Sequence, residues 1–323
     1  MLVTGPNGAG KTNLLESLHV GTQGFSPRTR RDTELIRFGS DAARIQLGGK
    51  RGDAPLALRV DLSTSAAKRA LLNGSALGSA ELLRRDVQTL VFTPDRLTVV
   101  KGGPAARRAY FDRVLARLYP ARAALPADYA AAVAQRNAAL RFSSPEAVAP
   151  WTEQVAAVGA ELVHARGEVL AALQPAFRVC AEELELALAT LSYEGEAPTL
   201  EGLEARLERD RERGTTSLGP HLHDIRLAAA GRDLRSFGSQ GEQRLTVLSL
   251  LLAEAELLGA RRGVLPLLLL DDVLSELDPA RRRVLADRVA HMGQTLVSAT
   301  DPSFLPIEPA QLLLVVPGEV RAA

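Results

Sequence analysis

Eight residues near the start of the chain have the types and the spacing of a phosphate-binding loop. They are Gly5, Pro6, Asn7, Gly8, Ala9, Gly10, Lys11 and Thr12. In the pattern G-x-x-x-x-G-K-[ST], the glycines let the backbone turn so that its N–H groups face a chain of phosphates. Lys11 would supply a positive charge to the β- and γ-phosphates, and the Thr12 hydroxyl would ligate Mg²⁺. The sequence therefore predicts a site for a nucleoside triphosphate such as ATP, bound with Mg²⁺.

Two adjacent carboxylates follow a continuous aliphatic run later in the chain. Leu267–Leu270 is a run of leucines, and Asp271 and Asp272 come directly after it. Such a run is typical of a central parallel strand covered on both faces, and α/β sheets bind ligands at the carboxyl ends of their strands. Asp271 is suited to holding Mg²⁺, and Asp272 to orienting or deprotonating the attacking water. An acidic turn without chemistry is the alternative, and the phosphate-binding loop in the same chain argues against it.

Two further polar segments each have a structural and a functional interpretation. Residues 239–244 precede an apolar helix predicted over 245–258. Ser239 is either the N-cap of that helix or, at an exposed helix N-terminus, a contact to phosphate. Asp278 lies before Pro279, which is typical of an N-cap followed by proline at the first helical position.

Hydrophobic periodicity predicts the elements that must position these groups. The segments with strand patterns are residues 2–4, 56–62, 89–92, 188–193, 267–270 and 295–298. Residues 225–227 and 234–237, joined by a turn at Gly231, predict a β-hairpin. Residues from about 105 to 190 have apolar side chains at three- and four-residue intervals, which predicts helices punctuated by prolines. The prediction is an α/β fold with an ATP-binding lobe in two parts, residues 1–103 and 215–323, and a helical insertion lobe at 104–214.

Composition narrows the class of protein. The chain has 323 residues, of which 46% are hydrophobic, and it has no run of about 18 apolar residues that would span a membrane. Its one cysteine, Cys180, rules out an internal disulfide and fits a reducing, cytosolic location. The net charge of +1 gives no global argument for nucleic acid. Arginine clusters at 28–31, 84–85, 107–108 and 281–283 would either bind phosphates or form surface ion pairs.

The order of the motifs resembles that of ABC-type ATPases. In this resemblance residues 5–12 are Walker A, 239–242 the signature motif, 267–272 Walker B and 275–278 the D-loop. Further segments resemble the RecF family of recombination mediators. These are residues 28–32, 34–39, 92–97, 100–102, 107–108, 135–138, 218–221 and 237–241.

The resemblance implies an ABC-type P-loop fold with an inserted, mainly α-helical lobe, and a cytosolic ATPase that dimerises head-to-tail on ATP. Lys11 and Asp272 would be catalytic, while Thr12 and Asp271 would hold Mg²⁺. The partner subunit would contribute Ser239 and Gly241 to each ATP in trans. The D-loop residue Asp278 and the whole of residues 5–12 would also contact ATP.

The same resemblance implies the cellular role. Members of the family bind single- and double-stranded DNA, favour gaps and junctions, and act with the RecO and RecR proteins to load RecA. These activities belong to DNA replication, recombination and repair, including the SOS response to DNA damage. Hydrolysis of ATP would be slow and stimulated by DNA, and it would release the dimer.

Three departures from the family pattern stand out. The family's Gly-Pro-His-Arg-Asp-Asp segment has Leu222 and His223 in place of the arginine and one acid. The signature has Glu242 where glutamine is usual. Relatives also have a strand with an aromatic-Arg-Asn segment before Walker A, so we expect either a translation start further upstream than Met1 or a truncated gene.

Two other classes of protein share parts of this pattern. A nucleotide-binding subunit of an ABC transporter would have the same motifs, but the large helical insertion fits that role poorly. A P-loop kinase or another monomeric nucleotide enzyme would need no signature such as the one at Ser239. ATP-dependent retention of the protein on gapped DNA, and not on membranes, would exclude a transporter subunit. A protein that stays monomeric in the ultracentrifuge both with and without ATP would favour a monomeric nucleotide enzyme.

Overall fold

The structure is a computed structural model that describes residues 1–322. Its strands are β1 (Leu2–Thr4), β2 (Ala42–Arg51), β3 (Ala54–Ser63), β4 (Arg69–Leu72), β5 (Ser75–Ala76), β6 (Thr89–Phe92), β7 (Thr190–Glu194), β8 (Asp224–Ala229), β9 (Arg232–Asp233), β10 (Leu267–Leu270), β11 (Thr295–Ala299), β12 (Leu312–Val316) and β13 (Glu319–Ala322). Its helices are α1 (Lys11–Gln23), α2 (Thr98–Lys101), α3 (Pro104–Leu118), α4 (Leu125–Phe142), α5 (Pro145–Glu183), α6 (Leu200–Glu204), α7 (Leu207–Arg213), α8 (Leu234–Phe237), α9 (Gln240–Arg262) and α10 (Pro279–Val289).

The chain forms two compact units with different bounds from the predicted lobes. One unit comprises residues 1–96 and the residues from 262 onward, and the other comprises residues 97–261. Most of α9, which follows Ser239, therefore belongs to the second unit. The functional division at residues 104 and 215 stays a prediction.

A mostly parallel sheet of six strands is the centre of the first unit. Its order is β13-β12-β1-β11-β10-β6, and only β13 runs antiparallel to its neighbour. The short strand β1 lies between β11 and β12, and Leu2 pairs with Val297 on one side and Leu312 on the other. The apolar side chains of these strands are buried together, which is typical of a parallel sheet covered on both faces. The strands predicted at 2–4, 89–92 and 267–270 are confirmed with these bounds.

A second sheet in the same unit is antiparallel, with the order β2-β3-β4-β5. Leu58, Val60 and Leu62 alternate along β3 and are buried, while the side chains between them are half-buried. This alternation is the pattern that predicted the strand, because successive side chains point to opposite faces. Asn73 and Gly74 form the turn between β4 and β5, as predicted, both with positive φ.

The second unit is mainly helical. The helices α3, α4 and α5 fill the block predicted to be helical, and α5 alone has 39 residues. Pro104, Pro126 and Pro145 lie in the first turn of their helices, where a missing N–H costs no hydrogen bond. Pro150 and Pro175 lie inside α5. The prolines therefore begin helices more often than they interrupt them.

The hairpin predicted near Gly231 is right in its first strand and wrong in its second. β8 pairs antiparallel with β9, but β9 consists of Arg232–Asp233 only. Residues Leu234–Phe237, predicted as the second strand, form the helical turn α8. The Asp233 side chain causes the change, because it accepts a hydrogen bond from the Arg235 amide at 2.8 Å and so caps α8.

Within residues 1–322, no helix is both long enough and apolar enough to cross a membrane. The one cysteine, Cys180, is buried in α5, as expected of a small apolar residue.

Candidate nucleotide-binding site

The phosphate-binding loop connects β1 to α1, and its glycines have backbone conformations that other residues rarely adopt. Gly8 has φ 80° and Gly10 has φ 110°, both in the left-handed region. A Cβ atom at Gly5 would lie 2.3 Å from the backbone oxygen of Val315, so that position has no room for a side chain. The loop is thus built as the sequence pattern predicts, between a buried strand and the N-terminus of a helix of 13 residues.

Lys11 is held inside this loop. The residue is buried, and its Nζ donates to the carbonyl oxygens of Gly5 at 2.8 Å and Pro6 at 3.1 Å. These bonds keep an ammonium group at the start of α1, where the helix dipole also favours an anion. A positive charge in this position suits the phosphate chain of a nucleotide.

Asp271 and Asp272 follow β10 and are organised by one serine from the neighbouring strand β11. Ser298 Oγ donates to Asp271 Oδ1 at 2.7 Å and accepts from the Asp272 amide at 2.9 Å. Asp272 has φ 51°, a left-handed conformation that costs a non-glycine residue about 1 kcal/mol or more. Strained backbone of this kind persists where the surroundings fix it, and it clusters at functional sites.

The loop and the two carboxylates line one cavity of about 270 Å³ in the first unit. Its lining consists of Asn7, Gly8, Gly10, Lys11, Thr12, Asn13, Arg28, Asp271 and Asp272. The cavity lies at the carboxyl ends of β1 and β10, the edge at which α/β sheets bind ligands. The structure therefore brings together the two motifs that the sequence placed about 260 residues apart.

The donor set of this cavity fits a nucleoside triphosphate with Mg²⁺. Asp272 Oδ1 is buried and has no hydrogen-bond partner within residues 1–322, so a water or a ligand group would satisfy it. Thr12 and Asp271 offer a hydroxyl and a carboxylate oxygen, the ligands that Mg²⁺ takes together with phosphate oxygens and waters. Over the same residues no cluster of three or more His, Cys, Asp or Glu side chains is found, so an all-protein metal cage is not the kind of site present.

Ser239 and Glu242 form a capping box at the start of α9. Ser239 Oγ accepts from the Glu242 amide at 3.2 Å, and Glu242 Oε2 accepts from the Ser239 amide at 2.7 Å. The hydrogen bond from the Ser239 amide is the main reason that the pKa of the Glu242 carboxyl lies below its usual value. Glu242, the departure from the family's glutamine, thus completes the cap, and Ser239 and Gly241 remain exposed. A serine hydroxyl that accepts in a cap keeps its proton for donation, so the cap and the phosphate contact are compatible.

Asp278 caps α10 as predicted. Its Oδ1 accepts from the Arg281 amide at 3.0 Å, and this hydrogen bond lowers the pKa of the Asp278 carboxyl. Asp278 Oδ2 also pairs with the Arg281 guanidinium at 3.0 Å. Asp278 does not line the cavity that holds Lys11 and Asp271, so its contact with a nucleotide stays a prediction.

Sequence reasoning misses two residues of this site. Ser298 lies in a strand with no motif around it, and no local signal marks its contacts with the Asp271 carboxylate and the Asp272 backbone amide. The sequence shows Arg28 as a member of an arginine cluster and of a segment that resembles the family, but neither pattern predicts that it lines the cavity, where it pairs with Glu16 at 3.1 Å. Its spacing from Lys11 alone cannot show that it faces the phosphate loop.

The segment that departs from the family, at Leu222 and His223, lies in the second unit. Leu222 is exposed, and the His223 ring shares a hydrogen bond of 2.9 Å with the Tyr193 hydroxyl. Burial, together with the nearby Arg166, lowers the pKa of His223 and favours the neutral ring. The next acid, Asp224, forms a bidentate ion pair with Arg107 at 2.7 and 2.6 Å, so this part of the segment has a structural contact.

Comparison with known proteins places these features in a family. The model of the RecF/RecN/SMC N-terminal domain matches residues 1–308. The protein of Anaeromyxobacter sp. (strain K) named DNA replication and repair protein RecF is 40% identical, over 96% of this chain and 88% of its own length. The protein of the same name from Myxococcus xanthus (strain DK1622) is 37% identical, over 94% of this chain and 85% of its own length.

Solved structures agree with the sequence matches. The recombination mediator protein RecF in its ATP form, from the RecFOR pathway, superposes with a TM-score of 0.86 at 25% identity, covering 100% of this chain and 91% of that one. An Smc head domain from Pyrococcus furiosus, bound to the C-terminal domain of ScpA, superposes with a TM-score of 0.58 at 15% identity, covering 100% and 89%. The second likeness concerns the fold alone, which is that of ABC-type ATPases.

Proposed function

Since the chain belongs to the RecF family, we propose that it is an ATP-dependent DNA-binding protein of DNA replication and repair. Within that role it acts as a recombination mediator that binds single-stranded, gapped and junction DNA in the cytosol. The observation that carries the proposal is the single cavity in which Lys11 and Thr12 of the loop lie with Asp271 and Asp272. This is the donor set that phosphoryl transfer from ATP requires.

Each residue of the cavity has a distinct part in the proposed mechanism. The Lys11 ammonium binds the β- and γ-phosphates, and Thr12 and Asp271 hold Mg²⁺. When bound, Mg²⁺ neutralises charge on the β- and γ-phosphate oxygens. Asp272 orients the attacking water and accepts its proton, a role for which its unpartnered Oδ1 is suited. Glycine N–H groups of the loop supply the remaining contacts to phosphate.

A second copy of the chain completes the site. Ser239 and Gly241 lie exposed at the N-terminus of a helix of 23 residues, which favours an anion by its dipole and its free N–H groups. In our proposal this helix N-terminus contacts the γ-phosphate of the ATP that the partner subunit holds. Asp278, the D-loop residue, contacts the same nucleotide. ATP then favours the dimer because each γ-phosphate contacts both subunits, and slow, DNA-stimulated hydrolysis releases it.

The proposed partners follow from the family. A relative described within the RecFOR pathway supports RecO and RecR as partners of this chain, with RecA loading as the outcome. DNA would be held by arginines through its phosphates, so its affinity falls as salt rises.

The test of this function is binding of the full chain to a labelled gapped duplex with ATP and Mg²⁺. We expect tighter binding with ATP than with ADP or without nucleotide, and weaker binding at higher salt. Binding that is equal in all nucleotide states would contradict the proposal. ATP-dependent retention on lipid vesicles and none on DNA would instead favour a transporter subunit.

Replacement of the proposed base separates hydrolysis from binding. We expect Asp272→Asn to bind ATP normally and to hydrolyse it at least about 100-fold more slowly, since a positioned general base contributes factors of this size. The variant should therefore persist as the ATP-bound, DNA-bound form. Phosphate release and nucleotide affinity are measured together. Wild-type turnover in Asp272→Asn would refute the role given to Asp272.

A bulky cation at the signature tests the trans contact. Ser239→Arg should keep the ATP affinity of a single subunit and lose ATP-dependent retention on DNA, because the side chain blocks the helix end that faces the partner's phosphate. Fluorescent nucleotide binding and DNA binding are the two readouts. Ser239→Ala, which loses the hydroxyl without adding bulk, is the milder comparison. A drop in subunit ATP affinity for Ser239→Arg would show that Ser239 acts in cis.

A further inference from the structure

A second cavity in the first unit, of about 580 Å³, lies at the opposite edge of the parallel sheet from the nucleotide site. We call it the basic groove; its lining consists of Lys50, Arg51, Gly52, Leu56, Arg85, Asp86, Val87, Gln88, Arg262, Val264, Leu265, Leu267 and Gln294. Gln88, Leu267 and Gln294 lie at the amino ends of β6, β10 and β11, three adjacent strands. The basic groove shares no lining residue with the cavity of Lys11 and Asp271.

The floor of the basic groove is apolar and partly open to water. Leu56, Val87 and Leu267 line it, and beside them Val264 is 69% exposed and Leu265 is 39% exposed. Apolar surface surrounded by a polar rim is found at ligand-binding grooves, and Val264 and Leu265 extend the apolar floor of this groove to its exposed side. The volume also lies within the range of sites that bind a small ligand or a peptide segment, about 300–1,000 Å³.

The rim of the basic groove is strongly positive. Four cations line it, Lys50, Arg51, Arg85 and Arg262, against one carboxylate, Asp86. Asp86 is already paired with Arg51 at 3.2 Å. The exposed side chains of Lys50 and Arg85 form no ion pair within residues 1–322. The groove therefore has an excess of positive charge that an acidic ligand would complement.

The polar atoms at the strand ends point to a ligand with N–H donors. Gln88 Oε1 is buried and has no hydrogen-bond partner within residues 1–322, while Gln88 Nε2 donates to the Arg84 carbonyl oxygen. A buried amide oxygen without a donor is costly, and a peptide N–H would satisfy it. Gln294, at the amino end of β11, adds a second side-chain amide to the lining of the groove.

We propose that the basic groove binds a short acidic peptide segment of a partner protein. Aliphatic or aromatic side chains of the peptide pack against Val264 and Leu265, and its carboxylates pair with the cations of the rim. This surface lies outside the ATP and DNA functions proposed above and does not depend on them. A single-stranded nucleic acid fits less well, because such strands are bound by cations together with aromatic stacking platforms, and the lining has no aromatic side chain.

The probe is a fluorescein-labelled nonapeptide with three aspartates on each side of a Leu-Phe-Leu centre, titrated with the full chain and followed by anisotropy. We expect saturable binding, and about tenfold or greater loss of affinity for Arg85→Glu and for Val264→Asp, which corresponds to about 1.4 kcal/mol or more. Arg69→Glu is the matched control, since Arg69 is exposed in β4 of the same unit and lies outside the groove. It should bind the peptide as the wild type does.

Control peptides and competitors decide the chemistry. A peptide with lysines for the aspartates, or with a Ser-Gly-Ser centre, should bind at least about tenfold more weakly. Each variant is checked for a wild-type melting temperature and wild-type ATP affinity, so a loss of peptide binding reports the groove itself. Unchanged peptide affinity in both Arg85→Glu and Val264→Asp would overturn the proposal. If an oligothymidine strand displaced the peptide, and Arg85→Glu weakened the binding of both, the proposal would be overturned in favour of a nucleic acid ligand.

Discussion

Lys11→Ala is expected to weaken ATP binding by about 100-fold, or about 3 kcal/mol, because the variant loses charge-assisted hydrogen bonds to two phosphates. The Lys11 ammonium is the cation fixed within the loop by the carbonyl oxygens of Gly5 and Pro6. Water that fills its place carries no charge and leaves the phosphates uncompensated in a narrow cavity. Titration with a fluorescent ATP analogue measures the effect, and ATP-dependent retention on DNA should be lost as well.

The matched control for this variant is Lys50→Ala. Lys50 is exposed on β2 and does not line the nucleotide cavity, so its loss should leave ATP affinity unchanged. A melting curve shows whether Lys11→Ala remains folded. If folded Lys11→Ala bound ATP as tightly as Lys50→Ala does, the assignment of residues 5–12 as the phosphate loop would be wrong.

Asp210→Ala is expected to cost the second unit about 3–5 kcal/mol of unfolding free energy, because it leaves a buried arginine without its partner charge. Arg136 and Asp210 are both completely buried, and Arg136 Nη1 lies 2.7 Å from Asp210 Oδ2. Thr152 and Thr216 accept further hydrogen bonds from the same guanidinium, and the Ser217 amide donates to Asp210 Oδ1. Removal of the carboxylate breaks this network at its centre.

Urea unfolding followed by tryptophan fluorescence measures this loss locally. Trp151 is the single tryptophan of the chain, and it packs against Ala139, Leu140 and Val148 in the second unit. Glu168→Ala is the control, because Glu168 pairs with Arg122 at the surface, and exposed pairs contribute about 1 kcal/mol or less. The double variant Arg136→Leu/Asp210→Leu should recover part of the loss, since it leaves no lone buried charge. A cost for Asp210→Ala no larger than that for Glu168→Ala would contradict the expectation.

Sequence reasoning succeeds where chemistry and local pattern coincide. The loop around Lys11 needs glycines at fixed spacings, and a short leucine run ahead of Asp271 is typical of a buried strand. The amino-acid sequence alone is therefore enough to predict both. Asp278 is recognisable as an N-cap for the same reason, because Asp-Pro at a helix start is a local signal.

The features that sequence reasoning misses depend on contacts between distant residues. Ser298 bonds the Asp271 carboxylate from a strand 27 residues away, and it also accepts from the Asp272 amide. Arg136 contacts Asp210 across 74 residues. From sequence, residues 135–138 show only a resemblance to the family, whereas the structure gives Arg136 a buried partner. The wrong strand prediction at Leu234–Phe237 has a different origin. The apolar pattern is compatible with a strand, but the Asp233 side chain caps a helical turn there.

The central claim, that two copies of the chain share each ATP, is tested most directly by sedimentation velocity of the wild-type protein with Mg²⁺ and ATP, with ADP, and without nucleotide. We expect a species of twice the 34.5 kDa monomer mass with ATP and a monomer in the other two conditions. A monomer in all three conditions, under ATP concentrations that saturate the site, would contradict a composite site closed by the partner's Ser239.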